Sequence, residues 1–301
     1  MSRLAANLLL LAAGAIWGMG FVAQTTAMEH VGPWTYTAAR FLLAALALLP
    51  FALAEGRAAK AVGAAPIARP DRLGFVAVGA AIFLGSILQQ LGMLSTSVTN
   101  AGFLTGLYVV FTPFLAVLIL RSRPHWIVWP AALAAFVGIV LLGGGTVAAL
   151  SSGDLLVIGG ALFFALQITL IGVFVKRTGR PLTLSATQFG VCALIALACA
   201  LVMEPVDPAG ILAAWPEIAY GGLFSIGLAF TLQTVGQRYT TPAQAAIFLS
   251  SEALFAALFG ALFMGDRIPP IGYLGCALIF AAMLAVEVVP VLRPSSRPRM
   301  A

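Results

Sequence analysis

Ten long apolar segments follow one another along the chain, separated by short polar connections. A helix needs about 20 predominantly apolar residues to cross the hydrocarbon core of a bilayer. The pattern therefore predicts an all-α polytopic membrane protein with ten transmembrane helices. The segments span residues 8–28, 36–54, 73–94, 101–120, 127–142, 155–175, 184–203, 218–235, 243–264 and 271–289.

Positive charge falls almost entirely on alternate connections between these segments. Short loops rich in Lys and Arg remain on the cytoplasmic side of a membrane, so we expect both termini to face the cytoplasm. Of the sixteen basic residues, Arg40 lies inside the second segment and Arg267 follows the ninth. The fourteen others are Arg3, Arg57, Lys60, Arg69, Arg72, Arg121, Arg123, Lys176, Arg177, Arg180, Arg238, Arg293, Arg297 and Arg299.

Composition narrows the class of protein further. Hydrophobic residues make up 61% of the 301 residues and charged residues 9%, which excludes an ordinary soluble domain. The net charge of +6 is spread singly through short loops. It indicates topology signals beside anionic lipid, so no nucleic-acid partner is expected. The three cysteines lie within apolar segments at an odd count, and they predict neither a disulfide framework nor a metal site.

A polar break at residues 143–153 leaves five segments on each side. Faint similarity appears when the halves are offset by 144 residues, which pairs Asn100 with Gln244 and Phe111 with Phe255. Because five is odd, two such copies enter the membrane from opposite sides. The expected architecture is therefore two inverted five-helix repeats around a central cavity. The expected units are a first repeat at 1–147, a second repeat at 148–292 and a basic cytoplasmic tail at 293–301.

Polar side chains inside the apolar segments mark the expected cavity. A charge at the bilayer centre costs about 2.5–3.5 kcal/mol on insertion scales, so such residues face a cavity or a partner. They occur in segments one to four and six to nine. Segments five and ten are then expected to lie outside, as supports or as the contact of a homodimer. The polar candidates for substrate binding are Gln24, Arg40, Gln89, Gln167, Gln233, Ser251 and Glu252.

Two members of this set, Arg40 and Glu252, carry opposite charges. Their expected depths differ by several ångströms, which is within the reach of a long Arg side chain. We hypothesise that they communicate across the cavity, directly or through the substrate. Arg40 has an alternative role as a structural anchor that pairs with backbone carbonyls near the outer surface.

Aromatic side chains occur on the same segments as the polar candidates. Trp17, Phe21 and Gln24 are spaced i, i+4 and i+7, on one face of a helix. Apolar walls with a few polar groups suit a small amphipathic ligand, although rings in membrane helices also serve packing. Pro113 removes a backbone hydrogen bond and predicts a kink, either a hinge or a feature that shapes the cavity. The aromatic candidates are Trp17, Phe21, Tyr108, Phe163 and Phe248.

Several motifs of enzymes and ATP-driven pumps are missing from the sequence. No GxxxxGK[ST] loop occurs, so the chain does not power transport with its own ATP hydrolysis. No HExxH zinc motif occurs, and the only histidines, His30 and His125, lie in connections on opposite sides. We therefore expect no enzymatic activity, no bound metal and no cofactor.

Four stretches resemble the drug/metabolite transporter superfamily and its EamA family, and the resemblance covers essentially the whole chain. It implies ten helices in two inverted repeats, and the matching positions include Trp17, Gly18, Arg40, Pro113 and Glu252. Ala253 stands where this family commonly has Pro, which predicts a straighter ninth helix. Within the family the chain is most similar to bacterial exporters of amino acids, including aromatic amino-acid exporters of the YddG type. The stretches are AAGAIWGMGFVA, YTAARFLLAALALLP, TNAGFLTGLYVVFTPFLAVLILRSRP and AAIFLSSEALFAALFGALFMGDRIP.

The resemblance and the cavity residues together predict a secondary transporter of the bacterial inner membrane that exports small organic metabolites. Amino acids, above all aromatic or large apolar ones, are the expected substrates, moved by alternating access as the two halves rock around one site. Coupling stays open between proton exchange through Glu252 and uncoupled facilitated diffusion. One alternative is a multidrug or organic-cation exporter. Another, of a different class, is a non-transporting membrane scaffold or receptor subunit.

Overall fold

The computed structural model of the chain describes residues 1–96, 98–121, 124–142, 151–265, 267 and 269–292. All regular secondary structure in these ranges is helical. The elements are α1 (Arg3–Ala27), α2 (Pro33–Ala61), α3 (Arg69–Gly92), α4 (Val98–Thr105), α5 (Tyr108–Leu120), α6 (Val128–Leu142), α7 (Ser152–Thr178), α8 (Pro181–Met203), α9 (Pro208–Ala213), α10 (Trp215–Ala219), the π-helix π1 (Tyr220–Phe230), α11 (Thr231–Gln237), α12 (Pro242–Leu249), α13 (Glu252–Phe259), the π-helix π2 (Gly260–Met264) and α14 (Pro270–Leu292).

Ten crossings account for these elements and confirm the predicted fold class. Within the described ranges, nine helices are long and apolar enough to span a membrane, and Val128–Leu141 forms a shorter apolar helix. The fourth crossing consists of α4 and α5, the eighth of α10, π1 and α11, and the ninth of α12, α13 and π2. Short helix α9 lies in the connection before the eighth crossing.

The first and last crossings meet at one end of the bundle, which we call the N-terminal end. There the Asn7 Nδ2 group donates a hydrogen bond of 2.7 Å to Glu287 Oε2. Arg3 lies 3.7 Å from the same carboxylate oxygen. Helix α1 therefore begins, and helix α14 finishes, at the same end, as an even number of crossings requires. We call the opposite end the far end.

Helix packing between the two halves follows a twofold pattern. The second and seventh crossings, α2 and α8, pack against each other, as do the fifth and tenth, α6 and α14. The contact of α3 with α7 has its counterpart in that of π1 with α1, and the contact of α5 with α7 in that of α13 with α1. This exchange of partners is what two inverted repeats produce. The predicted boundary near residue 147 and the tail at 293–301 lie outside the described residues.

The fourth and ninth crossings are interrupted at corresponding positions. A turn at Gly106–Leu107 separates α4 from α5, and a turn at Ser250–Ser251 separates α12 from α13. The two turns are 144 residues apart, which is the offset of the sequence similarity. Tyr108 and Glu252, the first residues after each turn, are therefore equivalent positions of the two repeats.

The expectation that Ala253 leaves the ninth crossing straighter is wrong. The Ser250 hydroxyl donates a hydrogen bond of 2.8 Å to the Ile247 carbonyl oxygen, and so competes with the helical backbone pattern. The Ser251 and Ala253 amides bond to carbonyls three residues back, whereas an α-helix uses the fourth. The helix is thus interrupted at the Ser250 hydroxyl without a proline.

Pro113 lies inside α5, beyond the turn that interrupts the fourth crossing. At this turn the Val109 and Val110 amides bond to carbonyls three residues back, each at 3.0 Å. The bend of the fourth crossing is therefore centred at Gly106–Leu107, about two turns before the proline. The role of Pro113 as a hinge stays a prediction.

Candidate functional site

A cavity lies at the centre of the bundle and encloses about 490 Å³ of space free of protein atoms, part of it open to solvent. Its walls come from crossings one to four, six, eight and nine. The cavity is lined by Trp17, Phe21, Gln24, Arg40, Ser86, Gln89, Thr105, Tyr108, Phe164, Gln167, Ile168, Ser225, Ile226, Phe230, Gln233 and Glu252. Helices α6 and α14 contribute no lining residue, and neither does α8 within the described ranges.

The structure brings nine of the twelve candidate residues together around this cavity. They are Trp17, Phe21, Gln24, Arg40, Gln89, Tyr108, Gln167, Gln233 and Glu252. Three candidates lie elsewhere. Phe163 is half-buried, and Phe164 beside it takes the lining position. Phe248 packs into apolar clusters of the core, and buried Ser251 occupies the space where a Cβ on Gly14 would lie.

Seven lining residues were not among the candidates: Ser86, Thr105, Phe164, Ile168, Ser225, Ile226 and Phe230. Three of them belong to π1, where residues five apart share a face. If this segment is assumed to be an α-helix, Ser225 and Phe230 are not predicted to lie on the same face. Phe164 was identifiable in principle, because Phe164, Gln167 and Ile168 are spaced i, i+3 and i+4 on one face of α7.

Trp17 is fixed in the cavity wall by two contacts with π1. Its ring centroid lies 4.5 Å from that of Phe230, with the planes tilted by 54°. Its indole Nε1 donates a hydrogen bond of 2.8 Å to the Ser225 carbonyl oxygen. In return, the Tyr220 hydroxyl donates a bond of 2.9 Å to the Ile16 carbonyl oxygen of α1. These two hydrogen bonds therefore connect π1 to Trp17 and hold α1 against the eighth crossing.

Trp17→Phe is expected to keep the ring contact with Phe230 and to remove the hydrogen bond to Ser225. Loss of a buried hydrogen bond of this kind costs about 1–3 kcal/mol, because the Ser225 carbonyl is left without its partner. The thermal unfolding midpoint of the detergent-solubilised protein should fall. Trp215→Phe is the control, because Trp215 is more than half exposed, and its midpoint should stay near that of the unmodified protein. Equal midpoints for the two variants would contradict the assigned role.

Amide side chains form a connected group on the second-repeat side of the cavity. Gln167 and Gln233 exchange hydrogen bonds of 3.4 and 3.2 Å. Gln167 also donates a bond of 3.1 Å to Gln188 Oε1 on α8, so α8 supports the cavity from behind. On the first-repeat side, Gln89 Nε2 donates a bond of 2.8 Å to the Thr105 hydroxyl. These bonds hold the amides in fixed orientations.

Arg40 reaches the cavity as a buried cation without a carboxylate partner among the described residues. Its guanidinium carbon lies 4.9 Å from the ring centroid of Tyr36 and 5.6 Å from that of Phe41. Ring faces stabilise a desolvated cation by about 2 kcal/mol. The Nε atom of Arg40 has no hydrogen-bond partner among the described residues.

Glu252 is the acidic residue in the same cavity. It is buried at the start of α13, beside the Tyr108 side chain. Its Oε1 atom and the Tyr108 hydroxyl both lack a hydrogen-bond partner among the described residues. Arg40 and Glu252 form no ion pair with each other in the described structure. The direct form of the hypothesised communication is thus not present here, and communication through a bound substrate stays a hypothesis.

A bundle of inverted repeats around a central cavity, with interrupted helices at mid-depth, is the architecture of secondary transporters. Unpartnered polar groups buried among aromatic walls complete such a site. The chain belongs to the EamA-like transporter family, whose model matches residues 4–144 and again residues 151–287. This second match confirms the twofold composition of the chain.

Two relatives agree with this assignment, and one solved structure has the same fold. An uncharacterized transporter of Archaeoglobus fulgidus is 31% identical over 291 residues, covering 95% of this chain and 87% of the relative. The uncharacterized transporter YwfM of Bacillus subtilis is 26% identical over 298 residues, covering 94% of each chain. A crystal structure with 18% sequence identity superposes with a TM-score of 0.78 over 98% of this chain and 100% of the other. The chain is thus a multi-pass membrane transporter.

Proposed function

We propose that this protein exports small organic metabolites, with amino acids, above all aromatic or large apolar ones, as substrates. One observation carries the proposal: a buried arginine and a buried glutamate, not paired with each other in the described structure, line the same cavity as Trp17 and Phe230. Uncompensated charges at such depth are costly. A zwitterion with an apolar side chain compensates both charges at once.

Each part of such a substrate meets a matching group. The Arg40 guanidinium binds the carboxylate, for which its planar set of donors is suited. Glu252, with the Tyr108 hydroxyl beside it, binds the ammonium group. The adjoining rings of Trp17 and Phe230 form an apolar wall against which the side chain of the substrate packs. The Gln167–Gln233 pair and Gln89 bond to the remaining polar atoms.

Transport proceeds by alternating access, for which inverted repeats give two equivalent ways of opening. Substrate export is either coupled to proton exchange at Glu252 or uncoupled. A proton gradient across proteoliposomes distinguishes the two. If coupling uses Glu252, the gradient accelerates flux, and Glu252→Gln removes this acceleration.

A multidrug or organic-cation exporter is the second candidate function, favoured by the buried Glu252 carboxylate beside aromatic rings. Cation export requires Glu252 but not Arg40. For a cation exporter, Arg40→Gln leaves the flux of organic cations unchanged. For an amino-acid exporter, the same variant loses the flux of amino acids. A scaffold or receptor subunit, the candidate of another class, gives no flux at all.

We place the protein in the bacterial inner membrane with the N-terminal end of the bundle in the cytoplasm, because the basic connections cluster at that end. Single cysteines in a cysteine-free background test this orientation. A cysteine at Glu29, in the connection after α1, should react with a membrane-impermeant maleimide in intact cells. A cysteine at Ala64, after α2, should react only after the cells are opened. The reverse result contradicts the orientation.

Flux into liposomes that contain only this protein tests the proposed function. Labelled phenylalanine or tryptophan should accumulate faster than in protein-free liposomes. A panel of unlabelled competitors ranks amino acids against organic cations. Flux that amino acids compete for supports the proposal, and flux that only cations compete for supports the second candidate. Absence of flux for every compound favours the scaffold.

A further inference from the structure

A glutamate near the C-terminal end of α2 caps the N-terminus of α8. Glu55 Oε1 accepts a hydrogen bond of 3.0 Å from the Leu182 amide, and Oε2 accepts one of 2.8 Å from the Thr183 amide. The Thr183 hydroxyl donates a further bond of 2.6 Å to Oε2. We call this group the N-terminal clasp, because it lies at the N-terminal end of the bundle.

The same arrangement recurs at the far end with the roles of the two helices exchanged. Glu204, at the end of α8, accepts bonds from the Trp34 amide at 3.0 Å and the Thr35 amide at 2.8 Å. The Thr35 hydroxyl donates a bond of 2.6 Å to it. A Cβ on Gly32 would overlap the Glu204 carboxylate, so a larger residue there would displace this carboxylate from its present position. We call this group the far clasp.

Each clasp satisfies backbone groups that a helix leaves without partners. The first N–H groups of a helix have no intrahelical acceptor, and a carboxylate there also compensates the helix dipole. Here the carboxylate comes from the neighbouring helix, so the cap also ties α2 to α8. About 20 residues of α2 separate the clasps, which corresponds to about 30 Å at the helical rise. The two helices are thus held at both membrane surfaces.

The neighbouring pair α3 and α7 is also tied at both ends. At the N-terminal end Arg177 Nε lies 2.9 Å from Asp71 Oδ1. At the far end the Thr96 hydroxyl donates a hydrogen bond to Asp154. Because the Arg177 side chain is mostly exposed, its ion pair adds little energy, and α3 and α7 are held together mainly by their packing. Helix α3 also packs on α8, which joins the two pairs.

Three of the other cavity crossings have a different construction. The fourth and ninth crossings contain the turns at Gly106–Leu107 and Ser250–Ser251, and the eighth contains π1. Helices α1, α2, α3, α7 and α8 run without a turn or a π-helical segment, and Pro50 lies inside α2. Turns, π-helical segments and prolines are where helices bend, so the fourth, eighth and ninth crossings each contain a site at which they can bend.

We propose that α2, α3, α7 and α8 form a fixed frame, held by the two clasps, and that the interrupted crossings bend against it to open the cavity. The frame takes two helices from each repeat. Rocking of one whole repeat against the other would break one clasp on every opening, whereas bending breaks neither. This inference rests on the proposed transport function, because it concerns how substrate gains access to the cavity.

Reversible cross-linking tests the frame. Cys192, Cys199 and Cys276 are replaced by Ala, and cysteines are introduced as two pairs, Glu55 with Thr183 and Thr35 with Glu204. A short bifunctional methanethiosulfonate links each pair, and reductant releases it. With both links formed, flux in liposomes should stay within about twofold of the reduced sample, because covalent bonds replace ties that persist through the cycle.

A loss of flux by about tenfold or more on linking, reversed by reductant, would overturn the frame and favour rocking of whole repeats. The reduced sample separates the two proposals. If it carries no flux while the cysteine-free protein does, the clasps themselves are needed. If no form carries flux, the transport function fails.

Hydrogen exchange tests the frame without any substrate. In the unmodified protein, the amides of Trp34, Thr35, Leu182 and Thr183 should all exchange slowly, because both clasps stay closed. Glu204→Ala should accelerate exchange at Trp34 and Thr35 only, and Glu55→Ala at Leu182 and Thr183 only. Fast exchange at one end in the unmodified protein would mean that a clasp opens during the cycle, and would contradict the frame.

Discussion

Glu252→Gln is expected to lower the flux of a zwitterionic amino acid by about 10- to 100-fold at subsaturating concentration. The substitution keeps the size of the side chain and removes its charge. A hydrogen bond to a charged group contributes about 1.5–3 kcal/mol, and each 1.4 kcal/mol changes affinity tenfold. The measurement is initial flux of labelled phenylalanine into liposomes at matched protein content.

The same change of Glu to Gln at position 287 is the control for Glu252→Gln. Glu287 bonds to Asn7 and Arg3 at the N-terminal end of the bundle and does not line the cavity. Its variant should retain flux close to that of the unmodified protein. Equal losses at positions 252 and 287 would show that the loss of flux does not depend on the cavity, and would refute a substrate contact at Glu252.

Substitution of Arg40 tests whether Arg40 and Glu252 act on the same substrate. Arg40→Gln is expected to reduce flux to a similar extent, since it leaves the substrate carboxylate without a cation. If both residues hold one substrate, the double variant loses less than the product of the two single losses, because sites that share a partner are not additive. A loss equal to that product would rule out communication through the substrate.

Gly18→Ala is expected to destabilise the protein by about 1–3 kcal/mol through overpacking. A Cβ on Gly18 would lie 2.5 Å from Phe255 Cβ and 2.7 Å from the Ala256 amide nitrogen. Backbone atoms of α13 cannot yield as a flexible side chain can, so helices α1 and α13 must separate. The thermal unfolding midpoint in detergent should fall, and Gly18→Leu should abolish the monodisperse protein in size-exclusion chromatography.

Gly190→Ala is the matched control for Gly18→Ala, because it adds the same methyl group inside a membrane helix. No atom lies within 4 Å of the position that a Cβ on Gly190 would take. Ala is also the better helix former. The midpoint should therefore stay unchanged or rise. If Gly18→Ala behaved like Gly190→Ala, the close crossing of α1 and α13 would be disproved.

The fold could be predicted from the sequence because the membrane constrains each crossing separately. Each crossing must be apolar, and its basic flanks alternate, so both helix number and inversion follow from position alone. Even α6, which is short, was found this way. The interruption at Ser250–Ser251 was not predicted from the sequence. It occurs where the Ser250 hydroxyl bonds to the backbone, whereas the absence of proline at position 253 predicted a straighter helix.

The cavity was predictable where a residue was out of place in lipid. Gln24, Arg40 and Glu252 were identifiable because burial in hydrocarbon is costly for them. Burial in hydrocarbon costs an apolar residue nothing, so Phe164 could be distinguished from Phe163 only by its place on the Gln167 face of α7. Ser225 and Phe230 are grouped by the spacing of a π-helix, which the spacing of an α-helix does not predict. Glu55 and Glu204 lie near the ends of apolar segments, where charged residues are common and do not indicate a specific role.

The turns at Gly106–Leu107 and Ser250–Ser251 affect the orientation in which a ligand binds in the cavity. A duplicated bundle with identical residues after each turn would offer its occupant the same group from both directions, and a ligand would bind equally well in either orientation. This chain has a phenol at one equivalent position, Tyr108, and a carboxylate at the other, Glu252. The duplication thus gives a cavity with approximate symmetry, and differences between equivalent positions, such as Tyr108 and Glu252, make its two sides chemically distinct.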